Sequence, residues 1–428
     1  MKTSIYTLLI IVTLTSTAAA QSRKDKLEVG VQATSLSLFD PDFPGDVTHA
    51  GAGGRVTYNI NRSIAAEAEI NFLAQKAFIL RSDGHAIQAQ FGVKAGKRFE
   101  KFGLFAKVRP GFLSVNRVFS FEPGPGVVIN GIPTFIPKIE RETFFTIDVG
   151  GVLELYPSKR TVVRFDAGDT LVRHPDRFDI VFGLPPTVQL ARAAKFTNNF
   201  QFTAGVSFRL GDFPAEEGDA TTSGDAREET PRYEVGVQFT SMSVEPPATA
   251  CVFCATLNDD FIHTEPGFGG RFTFNLTDNI AFEGEGNYFT RDRPGFPDPA
   301  GHMFQAQFGG KVGKRFERWG LFGKARPGFV GFTKVTEVTG TRVVTLGSTS
   351  FVVPDFREGK AFYPSLDLGG VVEFYISRRW MARFDVGDTI IRYGELRTVG
   401  FVMSMPIAVR PAETHHNFQF GSGIGFRF

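Results

Sequence analysis

Twenty-two charged side chains recur at matching intervals in the two halves of this chain. In the first half they are Arg55, Lys94, Lys107, Arg109, Arg164 and Arg209, with Glu67, Glu69, Asp148, Glu154 and Asp166. In the second half the same places hold Arg271, Lys311, Lys324, Arg326, Arg383 and Arg427, with Glu283, Glu285, Asp367, Glu373 and Asp385. The sign is kept at every position. Six cations facing five carboxylates can neutralise one another or line a path for polar solutes. Other candidate chemistry is sparse. Cys251-x-x-Cys254 occurs only in the second half, and in an oxidising compartment such a pair reads as a local disulfide. A metal site would need more ligands: His263 is the nearest, and two Cys with one His fall short of a structural zinc set. A redox pair is disfavoured because nothing around it resembles a thioredoxin-like unit. The seven histidines (49, 85, 174, 263, 302, 415 and 416) fall in loops or at strand ends. Only His85 and His302 occupy matching places, and neither has a serine partner arranged as nucleophile and base. No phosphate loop, HExxH or EF-hand pattern appears. Neither an enzyme nor a cofactor or metal protein is expected.

The elements that position these charges are written twice. Gln88–Phe112 and Gln305–Phe329 are identical at 19 of 25 positions. Residues 27–38, 53–72, 147–173 and 199–210 likewise match 233–244, 269–288, 366–392 and 417–428 in the same order. A repeat near 200 residues is too long for a solenoid unit and marks a duplicated domain. Gly211–Pro231, rich in Asp, Glu, Thr and Gly, separates the copies as a solvated linker.

Within each copy apolar and polar residues alternate with period two, the strand signal. In Ile64–Phe72 the residues Glu67, Glu69 and Asn71 share one face, and Ala66, Ala68, Ile70 and Phe72 the other. Runs of this kind place eight strands in the first copy, near 27–38, 53–60, 64–72, 86–97, 103–112, 144–156, 161–173 and 199–210. Their connections alternate strictly between short and long. Asn61–Ser63, Arg98–Phe102 and Pro157–Arg160 are short, whereas 39–52, 73–85, 113–143 and 174–198 are long. All short turns and both ends of the copy therefore lie on one side. Pro110 and Pro327 interrupt the fifth strand of each copy, where a residue without an N–H is expected to force a bulge or bend.

The balance of the 428 residues agrees with this pattern. With 47 Lys+Arg against 45 Asp+Glu the net charge is +2, which lacks the basic excess of a nucleic-acid binder. No mature segment is apolar for long enough to form a membrane helix. Yet 47 residues are Phe, scattered among polar neighbours as alternation requires.

Strands of about ten residues, with short turns on one side and long loops on the other, fit a membrane-spanning barrel. Each copy, Lys26–Gly211 and Arg232–Phe428, resembles the small eight-stranded outer-membrane barrels of Gram-negative bacteria, the OmpA/OmpX-like superfamily. The chain ends Gly425-Phe426-Arg427-Phe428, and the resemblance implies that Phe428 is an assembly signal. It also implies partners: outer-membrane lipid, periplasmic chaperones and the barrel-assembly machinery. Glycines on the charged face (Gly92, Gly96, Gly111, Gly150, Gly168 and Gly205) suit a narrow lumen filled by long polar side chains. The expected architecture is all-β: two tandem up-and-down barrels, repeat 1 over 27–211 and repeat 2 over 232–428. The acidic linker 212–231 would be periplasmic. The alternative is a single sixteen-stranded barrel, whose charged face would line a porin channel. In an eight-stranded barrel the interior is only wide enough to be filled, so its charges must pair and plug it. The long loops 113–143 and 331–362 are the expected contact surfaces for an external ligand of unknown kind.

Lys2, the apolar run Ile5–Leu14 and Ala18-Ala19-Ala20 read as a secretory signal peptide over residues 1–20. Expression in a Gram-negative host should yield a mature chain beginning at Gln21, which intact-mass measurement of the membrane-extracted protein checks.

Overall fold

The computed structural model describes residues 26–39, 46–75, 84–121, 127–129, 132–134, 137–181, 187–210, 231–245, 263–293, 300–346, 349–398 and 408–428. The signal segment, nearly all of the linker, and Cys251 and Cys254 lie outside them.

Sixteen long strands build the protein. The first eight are β1 (Leu27–Phe39), β2 (Asp46–Asn59), β3 (Ile64–Gln75), β4 (Gly84–Arg98), β5 (Phe102–Phe121), β6 (Pro137–Leu155), β7 (Thr161–His174) and β8 (Phe200–Leu210). The second eight are β9 (Tyr233–Val244), β10 (His263–Asn275), β11 (Ile280–Arg293), β12 (Ala300–Arg315), β13 (Trp319–Leu346), β14 (Thr349–Tyr375), β15 (Trp380–Tyr393) and β16 (Glu413–Arg427). The remaining strands are short pieces within the long connections.

Every pairing is antiparallel, and consecutive long strands pair in order. β8 returns to β1 in a continuous register from Leu27↔Leu210 to Leu36↔Gln201, so the first eight strands form a closed barrel. That closure rules out a merged sixteen-stranded barrel. β9 likewise pairs with β16, from Glu234↔Arg427 to Met242↔Gln419. Closure leaves no row of unpaired backbone groups at an edge.

Local chemistry sets the short turns. Asn61 Oδ1 accepts from the amides of Ser63 and Ile64, both at 2.8 Å. Ser158, Thr277 and Ser377 use a side-chain hydroxyl in the same way. These side chains stand in for a backbone acceptor and tighten the reversal.

Three expectations change. The strands outrun the alternating runs: β13 and β14 span 28 and 27 residues and pair as far as Leu346↔Thr349. The segment 331–362 is therefore largely a ladder, and 113–143 is paired out to Phe121↔Pro137. The prolines cause no bulge. The β4–β5 ladder keeps its register across Pro110, from Gln90↔Gly111 to Val93↔Val108, without the two intervening pairs. Pro110 stays paired with Ile147 on the other side. Pro327 repeats this between Gln307↔Gly328 and Gly310↔Ala325. A missing N–H thus costs rungs on one side only, without a frame shift.

The glycines also serve a different purpose. A Cβ on Gly92 would run into the Val108 carbonyl and sit 2.7 Å from Arg109 Cα; on Gly96 it would sit 2.6 Å from Phe105 Cα. Gly309 and Gly313 are equally crowded by backbone in the second copy. Inward glycines let strongly coiled strands approach each other, which matters more than room for side chains. Gly92→Leu should therefore abolish the compact, heat-modifiable species on semi-native electrophoresis. Gly151→Ala, at an outward position with open space around it, should leave that species intact.

Candidate functional site: a lumen closed in three layers

Inward-facing side chains sort by height. Nearest the short turns lies the charged layer, and all 22 expected residues reach it, Arg209 at its partly exposed lower edge. Arg109 donates through Nε to Asp148 Oδ2 at 2.8 Å and through Nη1 to Glu69 Oε2 at 2.5 Å. Arg164 donates through Nη2 to Glu67 Oε2 and Asp166 Oδ2, both at 2.9 Å. Lys94 bonds Glu154 and lies 3.2 Å from Glu67, while Lys107 is 2.8 Å from Asp148. Arg55 donates to Gln32 Oε1 at 2.9 Å and stands 3.9 Å from Asp166.

The second copy repeats this wiring residue for residue. Arg326 bonds Asp367 at 2.8 Å and Glu285 at 2.5 Å. Arg383 bonds Glu283 at 2.8 Å and Asp385 at 2.9 Å. Lys311 bonds Glu373, Lys324 is 2.9 Å from Asp367, and Arg271 donates to Gln238 at 3.0 Å. Forked guanidiniums bridging two carboxylates are the geometry in which buried charge can be held.

Sequence reasoning missed several members. Glu28 accepts from Arg209 Nε at 2.9 Å and from Asn59 at 2.8 Å. Its counterpart Glu234 accepts from Asn275 at 3.0 Å and Arg315 at 3.3 Å. Counting Glu28 and Arg98, which stands 3.9 Å from it and 3.8 Å from Glu154, the first lumen holds seven cations against six carboxylates from this set. The signal was available, because Glu28 and Glu234 occupy matching polar positions of the first strand in each copy. Tyr156 and Tyr375 were also missed; their hydroxyls donate to Glu154 and Glu373 at 2.8 and 2.9 Å.

Above the charges runs a belt of amides. Gln32 donates to Asn71 at 2.8 Å, Asn71 to Gln88 at 2.9 Å, and Gln88 to Gln201 at 2.9 Å. Gln238, Asn287, Gln305 and Gln419 form the same chain at 2.9, 2.7 and 2.9 Å. Above the belt the lumen turns apolar. Leu36, Leu73, Ala86, Leu113 and Val115 pack together in the first copy, with Leu38 and Phe144 against them. The second copy has a larger cap of Met242, Val244, Phe289, Met303, Val330, Phe332, Val335, Tyr363, Ile391 and Tyr393. The plug is thus ion pairs, amides and a largely apolar cap, with His49 and Glu265 buried beside Leu36 and Met242, where ion pairs alone were expected. Apolar residues on both faces near the strand ends hid the cap from a period-two reading.

At the long-loop rim, His415 lies between Glu245 and Glu413 at 3.1 and 3.0 Å. The exposed His416 bonds Asp388 through Nδ1 at 2.5 Å. The amide of His85 donates to Asn116 Oδ1 at 2.6 Å and that of His302 to Thr333 Oγ1 at 2.9 Å, so both backbones are tied to the neighbouring strand.

Fold and lumen together define the class: antiparallel all-β barrel with a charged, filled interior and an apolar exterior. No family model matches the chain, and no curated protein does. Among solved structures, Neisserial surface protein A aligns at 12% identity over 43% of this chain and 97% of its own, with a TM-score of 0.28. A Pseudomonas aeruginosa FadL homologue aligns at 11% over 94% and 91%, with a TM-score of 0.29. The P. putida toluene transporter TodX aligns at 10% over 94% and 90%, with a TM-score of 0.25. Likeness at this level adds nothing to what the strand pairing shows.

Replacing Arg164 by Met removes the forked partner of Glu67 and Asp166 and leaves them Lys94 at 3.2 Å and Lys107 at 3.7 Å, which should cost about 3 kcal/mol. Urea unfolding in lipid vesicles should show a lowered midpoint, partly recovered when Glu67→Gln and Asp166→Asn are added.

Proposed function

We propose that this chain is an integral outer-membrane protein made of two tandem eight-stranded barrels, serving as a rigid scaffold that displays its long outer hairpins for binding. The closed, three-layered lumen carries this reading, because a barrel filled from wall to wall has no path for solutes. Its inside-out chemistry supports the membrane setting. Arg109, Arg164, Arg326 and Arg383 are fully buried, while outward Val31 and Val237 are 70% and 71% exposed. Apolar surface on that scale needs lipid or another protein against it.

An aromatic belt at the short-turn end supports the same setting. Phe99, Phe102, Phe316, Trp319, Trp380 and Phe428 are all exposed there. Phe99 stacks on Phe102 at 4.5 Å and Phe316 on Trp319 at 4.2 Å. Amphipathic rings collect at the headgroup level of a bilayer. In this reading residues 1–20 are removed on export, and the short turns and linker face the periplasm. Lipid is the permanent partner, and chaperones with the barrel-assembly machinery act during insertion. The outer hairpins, β5–β6 and above all β13–β14, contact an external ligand. No step of catalysis is assigned to the chain.

Planar-bilayer recording on purified, refolded protein is the test. Insertion without stable conductance steps is expected, and large stable openings would overturn the closed-lumen reading in favour of a pore.

A further inference from the structure

Outward-facing residues are not all alike. On β4 and β5, Phe91, Leu104 and Val108 are about half exposed, as a lipid-facing coat should be. On β7 and β8, at equally outward positions, Val163 and Ala204 are 0% and 1% exposed. On β9 and β15 of the second copy, Phe239 and Ala382 are 4% and 0% exposed. These residues cover one another. One apolar cluster joins Leu155, Val163, Phe165, Ala204, Phe202 and Val206 of the first copy to Ala382, Phe374, Phe384, Phe420 and Ile424 of the second. Phe202 stacks on Phe239 at 4.0 Å between ring centroids.

The contacts follow a rule. Leu155 corresponds to Phe374, Val163 to Ala382, Phe165 to Phe384, Phe202 to Phe420 and Val206 to Ile424 in the alignment of the copies. Both sides of the seam are therefore built from the same positions. Moreover, two residues meet their own counterparts: Phe165 stacks on Phe384 at 5.9 Å and 7°. Thr48 of β2 likewise bridges Thr264 of β10. A residue that touches its own equivalent lies on a two-fold axis, the mark of an isologous interface.

The outer part of the seam carries small hydroxyl residues. Ser35, Ser37 and Thr48 of the first copy are buried at outward positions, as are Ser241, Thr264 and Ser422 of the second. Ser37 and Thr48 hydrogen-bond at 2.7 Å, and Ser243 and Thr264 at 3.0 Å. Small residues let two membrane surfaces approach closely, and the two hydroxyl pairs escape the cost of facing lipid, whereas the buried hydroxyls of Ser241 and Ser422 make no hydrogen bond among the described residues.

We propose that the two barrels dock side by side through this pseudo-two-fold seam, and that the seam itself holds them as one body in the membrane. The partner of the β7–β8 face is the second copy of the same barrel. The seam rests on the two-barrel reading above. It also identifies the face through which a single-copy barrel of this sequence would self-associate.

The test uses the full chain with Cys251 and Cys254 replaced by Ser and a protease site placed in the 212–231 linker. A directly opposed strand pair has its Cα atoms about 4.5–5.5 Å apart, within the roughly 4.4–6.8 Å that a disulfide spans. Thr48→Cys with Thr264→Cys should therefore cross-link in outer membranes under mild oxidation. After linker cleavage and denaturation without reductant, the fragments should run together near the full-length position. The control pair Phe91→Cys with Phe308→Cys, on outward faces that are open, should separate into two fragments. A second variant, Ala204→Trp with Ala382→Trp, should let the cleaved halves part in mild detergent while each keeps its heat-modifiable mobility. Two folded fragments with no cross-link at Thr48 and Thr264, or with equal cross-linking at the control pair, would overturn the docking and leave two barrels standing. Cleaved fragments that show no separate folded species, and unfold only together, would overturn the two-barrel reading and the docking with it.

Discussion

Charge buried in a space too narrow for bulk water is the constraint on which the rest of this structure depends. An eight-stranded barrel has an interior that side chains alone can fill. Any ion placed there must find its counter-ion within the same wall. The forked contacts of Arg109 and Arg164 meet this demand by bridging carboxylates on different strands. They thereby tie the ring across its width as well as along its ladders. The amide belt then passes from charge to apolar side chains without leaving a polar row facing an apolar one. Seen this way, the cap is the upper boundary of the same packed interior.

The sequence match between the two halves offers an internal comparison. Inward residues keep both type and partner: Arg164 with Glu67 and Asp166 becomes Arg383 with Glu283 and Asp385. Outward residues change freely within the apolar class, as Val56 to Phe272 or Ala66 to Phe282. The difference is physical. A lumen side chain has a fixed set of neighbours at hydrogen-bonding distance, whereas an outward one needs only to be apolar. Outward positions with small residues in both copies, such as Ser35 and Ser241, stand apart from that freedom, and they lie in the seam.

Much of this was legible before any coordinates. Period-two alternation located the strands, the spacing of turns gave their order, and the repeated signs singled out the 22 lumen charges. What escaped had definite causes. Glu28 and Glu234 sit one residue inside the start of the first strand of each copy, at matching polar positions whose partners are distant in the chain. The caps of Leu113 and Val330 lie where both strand faces are apolar, so alternation is silent there. The long β13–β14 hairpin lacks a strict alternation, yet its backbone pairs as far as Leu346↔Thr349. At Pro110 the rule that proline disrupts a ladder was sound, but it did not say that the loss would fall on one neighbour only.

By itself the sequence determined the identity of each strand, the side of the wall each residue occupies and the matching signs of the charges in the two lumens. All three follow from local alternation and composition. Tertiary structure alone decided where the rings close, because Leu27 and Leu210 meet only once the sheet has curled fully round. It also decided which carboxylate each guanidinium takes, since Glu67 and Arg164 are 97 residues apart in the chain. Finally, it decided that some outward residues face the other copy, as Phe165 faces Phe384. Nothing in period two separates a surface coated by lipid from one covered by another barrel, for both ask for the same apolar side chains.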